Sequence, residues 1–129
     1  PAHIVLIGIR SFEPGEEEYI KQHGITCYTS DDVEKLGAET IIKSSLDLIT
    51  QKCSYFGVSI DLDGFDPQDA PGVGTPEQNG IRSKDAILGF QGLCNHPKFK
   101  GLEIVEYNPH NGSGGKTVEL IHNLTKAFS

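Results

Sequence analysis

Apolar positions along the chain switch between two periods. Residues 3–9, His-Ile-Val-Leu-Ile-Gly-Ile, form a nearly continuous apolar run, the pattern of a strand covered on both faces. Pro14-Gly15 breaks it, and a short helix is expected over 16–23, closed by Gly24, before a second strand at 25–29. The acids Asp31, Asp32 and Glu34 mark a helix start, where negative charge suits the helix dipole. Gly37 is expected to divide this region into a single helical turn and a longer helix, whose Ala38, Ile41, Ile42, Leu46 and Ile49 recur at helical spacing. A third strand is predicted over 54–61, and then a long Pro- and Gly-rich loop through Asn79-Gly80, too polar for a core. Ser83 is placed to cap a helix that turns Ala86, Ile87, Phe90 and Leu93 inward. A fourth strand follows at 102–107, and Thr117, Leu120, Ile121, Leu124 and Phe128 mark a terminal amphipathic helix. Strands and helices alternate four times, which predicts βαβ crossovers and an α/β fold with one parallel sheet between helices.

In such folds the chemistry lies at the carboxyl ends of the strands. Three of these ends are acidic: Glu13 and Glu16 after the first strand, Asp61 and Asp63 after the third, and Glu106 near the end of the fourth. Around the third strand the residues alternate, so Phe56, Val58, Ile60 and Leu62 share one face, and Asp61 and Asp63 share the other. Two carboxylates that close repel each other unless a cation lies between them. Two readings stand at this point. Either the pair holds a hard metal ion such as Mg, Ca or Mn, or one Asp caps the next turn while the other pairs with a lysine.

Composition narrows the partners. A net charge of −7 over 129 residues, with scattered Lys and Arg, argues against a nucleic-acid surface and leaves room for a cationic or neutral small substrate. Cys27, Cys53 and Cys94 are an odd number without C-x-x-C spacing, which indicates neither a disulfide framework nor a zinc site and points to the reducing cytoplasm. No apolar run approaches the ~20 residues that span a bilayer, and no signal-peptide pattern is present, so no membrane partner is expected. A chain that opens at once on an interior strand is expected to be part of something longer.

The segment Ser59-Ile60-Asp61-Leu62-Asp63-Gly64-Phe65-Asp66-Pro67, followed by Ala70-Pro71-Gly72-Val73-Gly74-Thr75-Pro76, resembles the signature of the ureohydrolases, the family of arginases and agmatinases. Two further stretches match in order. Residues 8–16, Gly-Ile-Arg-Ser-Phe-Glu-Pro-Gly-Glu, are similar to the family's G-[IL]-R-D-x-D-P-G-E loop, and Val105-Glu106-Tyr107-Asn108-Pro109 to its V-E-x-N-P strand end. The resemblance implies a three-layer αβα fold with a parallel sheet, of which residues 1–129 form only the C-terminal part. It implies a manganese-dependent hydrolase, two Mn²⁺ per complete site, acting on a guanidino compound, L-arginine before agmatine. Asp61 and Asp63 would be metal ligands, Glu106 the catalytic and substrate-orienting acid, Glu13 and Glu16 contacts to the amino end of the substrate, and Thr75 a residue of the pocket wall. A homo-oligomer, trimer or hexamer, is implied for the full-length protein.

Departures from the family pattern also have consequences. The G-G-x-H and D-A-H-x-D motifs that complete the metal site are absent, and His3, His23, His96, His110 and His122 stand in no such context. Two carboxylates alone should hold Mn²⁺ weakly, so the isolated chain is expected to be inactive, with unpaired strand edges where the other half belongs. Ser11 and Glu13 stand where the arginase loop has Asp, and Ser11 is also at home in agmatinases. Two other classes compete. Asp61-Leu62-Asp63-Gly64 resembles the D-x-D-G of haloacid-dehalogenase-type phosphatases, although Phe65 follows where Thr or Val is needed, and a truncated domain could serve only in assembly.

Overall fold

The computed structural model describes residues 3–111 and 114–129. Four strands alternate with helices: β1 (Val5–Ile9), α1 (Glu16–Gln22), β2 (Thr26–Thr29), α2 (Ser30–Leu36), α3 (Ala38–Lys52), β3 (Phe56–Asp61), α4 (Ser83–Phe90), β4 (Phe99–Val105) and α5 (Gly114–Phe128). The β1–β2 and β3–β4 pairings are both parallel, as the alternation predicts.

The expected single sheet is not formed. Among the described residues β1 pairs with β2 alone and β3 with β4 alone, giving two two-stranded sheets. Pairing partners of parallel strands are set by non-local crossovers, which the order of elements does not specify. The first strand is also less covered than its apolar run predicts: Gly8 is buried, but Val5, Leu6, Ile7 and Ile9 are half-buried and Ile4 is 48% exposed.

One side of the β3–β4 sheet carries the main core. Phe56, Ile60 and Leu62 pack there with Ile42, Ala86, Leu120, Leu124 and Phe128 from three helices. Leu62, Leu124 and Phe128 are almost wholly buried, and each such side chain contributes about 1.5–3 kcal/mol by leaving water. Val33, Ala38 and Ile41 form a second cluster under β1, and Ile7 and Ile81 touch both clusters. The sheets are thereby joined through helices and loop rather than by strand pairing.

Three elements, α2, α4 and β4, differ from expectation at their boundaries. α2 is a full helix rather than one turn, because Thr29 and Asp32 close a capping box at its start. Ser83 is the first residue of α4 and not its cap; the Ser83 N–H donates instead to the carboxylate of Asp69, at 2.9 Å. Leu93 lies beyond α4 in a 3₁₀ turn, Leu93–Asn95, though still buried. The fourth strand begins earlier than predicted and stops at Val105, because Glu106 turns to a left-handed backbone, φ 64°.

Candidate active site

β3 ends at Asp61, and the chain enters a 3₁₀ turn, Leu62–Gly64. Asp61 Oδ1 accepts the N–H of Asp63 at 2.9 Å, so this carboxylate caps the turn. Asp63 therefore does not continue the strand on the same face, contrary to expectation. Half of the capping alternative is met. The other half is not, since among the described residues neither Asp61, Asp63 nor Glu106 forms an ion pair with Lys or Arg. Capping occupies one oxygen of a carboxylate that offers about four lone-pair sites.

The loop of residues 66–80 then leaves the sheet and returns beside its own start. Phe65 and Ile81 form a parallel bridge, with Ile81 N–H donating to Gly64 O at 2.9 Å and Asp66 N–H to Ile81 O at 3.1 Å. Gly80 fits there because a Cβ would lie 2.2 Å from the carbonyl carbon of Phe65. Arg82 and Asp69 form a forked pair across this closure, 3.1 Å on each arm. Burial works to raise the pKa of Asp69, but hydrogen bonds from Ser83 and the Arg82 charge outweigh it, and the net shift is downward.

Within the loop, Gly74 and Thr75 face the acids. The Thr75 N–H donates to the Asp63 carboxylate, 3.3 and 3.4 Å from its two oxygens. A Cβ on Gly74 would meet Glu106 Oε2 at 3.4 Å and Asp63 Oδ2 at 4.0 Å. The carboxylates of the third and fourth strand ends thus converge on the same glycine. Glu106 reaches it from an exposed left-handed position, which costs a non-glycine residue roughly 1–3 kcal/mol and is characteristic of functional positions.

Among the described residues no hydrogen bond ties Glu13 or Glu16 to this pair. Glu16 Oε2 accepts the N–H of Glu13 at 2.8 Å, closing the Pro14-Gly15 turn on itself. The link between the β1 end and the Asp63 turn is Arg10, whose guanidinium donates to the backbone carbonyls of Asp63 and Glu77. Sequence reading took Arg10 only as part of a motif; an arginine two residues past a strand glycine and facing an acid-rich loop was the available signal. Gly74 likewise stands in the sequence only as part of the Ala70–Pro76 motif.

The chain matches the family model described as "Arginase family" over residues 1–128. The chain belongs to the arginase family. It is 41% identical over 128 residues to the arginase of Bacillus subtilis (strain 168), a match that covers 96% of this chain and 43% of that protein. The native structure of the arginase from Bacillus caldovelox superposes with a TM-score of 0.92 at 34% identity, over 99% of this chain and 43% of that one. The agmatine ureohydrolase of Thermoplasma volcanium gives 0.80 at 34% identity, over 97% and 40%. The arginase-family fold is therefore established, and the chain spans less than half the length of the relatives it matches.

The donor set suits a hard divalent cation in kind, with carboxylate oxygens that among the described residues meet no competing lysine or arginine. It falls short in number. Among the described residues no group of three or more His, Cys, Asp or Glu is placed to hold a metal ion.

Proposed function

We propose that the chain supplies the guanidinium-orienting acid and two metal-holding carboxylates of a manganese-dependent ureohydrolase that converts L-arginine to ornithine and urea. The observation that carries this reading is the convergence of Asp63 and Glu106 on Gly74, with Glu106 held in a left-handed conformation. A guanidinium presents planar N–H donors, and a carboxylate accepts them in charge-assisted pairs; Glu106 would fix the orientation of the carbon to be attacked. Asp61 and Asp63 would hold the metal, with the other ligands coming from outside this chain. Manganese, when bound, would supply a water activated at neutral pH. Thr75 presents its backbone N–H to Asp63 and would line the pocket, and Glu13 and Glu16 would meet the amino end of the substrate. On the same reading the complete protein acts in the cytoplasm as a trimer or hexamer.

Agmatine is the second candidate substrate. Ser11 removes one acid from the arginase loop, and Glu16 is engaged with the Glu13 N–H rather than held ready for an α-amino group. Relative turnover of L-arginine and agmatine by the complete protein separates the two.

Manganese binding tests the metal assignment without requiring catalysis. Titration of the 129-residue chain with Mn²⁺, followed by the electron paramagnetic resonance of the free ion, should show weak uptake that Asp61→Asn abolishes. Equal uptake by the wild type and the variant would assign the acids to capping alone and favour an assembly role.

A further inference from the structure

We infer that Thr117 and Asn111 are positioning residues for Glu106: they brace residues 72–74, and through them hold Glu106 in its left-handed conformation. The inference rests on the reading of Glu106 as the guanidinium-orienting acid only for its consequence, not for its geometry.

Four contacts build the brace. Thr117, wholly buried on α5, accepts the Gly72 N–H on its hydroxyl oxygen at 2.7 Å. The Gly72 carbonyl accepts the Asn108 N–H at 2.9 Å. Asn111 Nδ2 donates to Val73 O at 2.8 Å. Val73 and Tyr107 form an antiparallel bridge, next to Glu106 in sequence. Among the described residues, the hydrogen bonds of residues 72–73 therefore run to the segment that follows Glu106, while Gly74 stands between Glu106 Oε2 and Asp63 Oδ2.

The chemistry of each group suits a brace rather than simple packing. Gly72 has no room for a side chain, because a Cβ would lie 2.9 Å from Thr117 Oγ1 and 3.2–3.3 Å from the carbonyls of Asn111 and Asn108. Its N–H, buried there, needs an acceptor. A glutamate does not adopt φ 64° by preference, so neighbouring contacts must hold it there. If the brace is released, residue 106 can relax to extended backbone, which redirects its carboxylate away from Asp63.

Carbon chemical shifts of Glu106 in the 129-residue chain report its backbone conformation directly. In Thr117→Val, which keeps the shape and removes the acceptor, the left-handed signature at Glu106 should be lost, and Thr117→Ser should restore it, while the Phe56 and Leu124 signals stay in place. Asn111→Ala, at a half-buried site, carries the same expectation should Thr117→Val not fold. A Glu106 that stays left-handed in a folded Thr117→Val or in Asn111→Ala, or a Thr117→Ser that fails to restore it, overturns the inference. Adding L-arginine, with L-citrulline as control, separates the two claims. Absence of any arginine-specific shift at Glu106 in the wild type would sink the substrate reading and leave the brace standing.

Discussion

Replacing Glu106 by glycine should stabilise the protein slightly while removing the proposed guanidinium contact. Glu106 is exposed, so the substitution uncovers no core. At φ 64° an L-residue carries about 1–2 kcal/mol of steric cost that glycine does not. Glycine loses roughly 0.5–1 kcal/mol through the greater freedom of its unfolded state. The net expectation is a gain of between about 0 and 1.5 kcal/mol, or a rise of up to about 6 °C in Tm for a chain of this size. Glu103→Gly is the control. Glu103 is also exposed but lies within β4, where glycine brings the loss without the gain, and it forfeits the bond from Ser59. Urea unfolding of both variants beside the wild type, at constant m, measures the difference. Equal destabilisation by the two substitutions would refute the claim that Glu106 is strained in the service of function. Glu106→Gln, which keeps the strain and removes the charge, should match the wild type in stability and lose the arginine response.

Gly74→Ala should leave stability nearly unchanged, since its Cβ would stand at ordinary contact distances, but should obstruct the approach to Glu106; arginine binding as strong as in the wild type would contradict the assignment of this space. Arg10→Met strips donors from the carbonyls of Asp63 and Glu77 and should cost about 1–3 kcal/mol, reduced by the partial exposure of the site, with Arg10→Lys recovering only part because a point charge cannot fork; a urea midpoint unmoved in Arg10→Met argues against the tie. Asp69, and Asp32 through bonds from the Thr29 N–H and hydroxyl, have pKa values below the ordinary carboxylate range. Depressed folded values contribute stability above the unfolded pKa that is lost as pH falls through the folded one, so Tm should drop from about pH 5 downward. Asp69→Asn should flatten that drop, and an unchanged pH profile would exclude this linkage.

Most elements were legible because their signals are local. Apolar runs and helical spacing located the cores of β1, α3, β3 and α5, and Ile41, Leu62, Leu124 and Phe128 are buried as their pattern predicts. The acids at the strand ends were legible for the same reason. What escaped depends on contacts distant in sequence. Nothing near Ser83 announces that Asp69 takes its N–H across the loop closure, and nothing in β1 reveals that it pairs with β2 rather than with β3 or β4. Thr117 reads as one more inward position on an amphipathic helix, yet its hydroxyl serves Gly72. Glu106 carries no local sign of a left-handed backbone, which glycine or asparagine would have given. The meeting of Asp63 and Glu106 could be expected from the family resemblance, but its geometry required the fold.

Urea release from the 129-residue chain, with Mn²⁺ and L-arginine, addresses the central claim that these acids form one part of a divided active site. The account predicts no turnover by the chain alone. It predicts turnover once an upstream ureohydrolase portion bearing the remaining ligands is supplied, and loss of that turnover in Glu106→Gln. Sustained urea production by the chain alone, or complemented activity indifferent to Glu106→Gln, would contradict it.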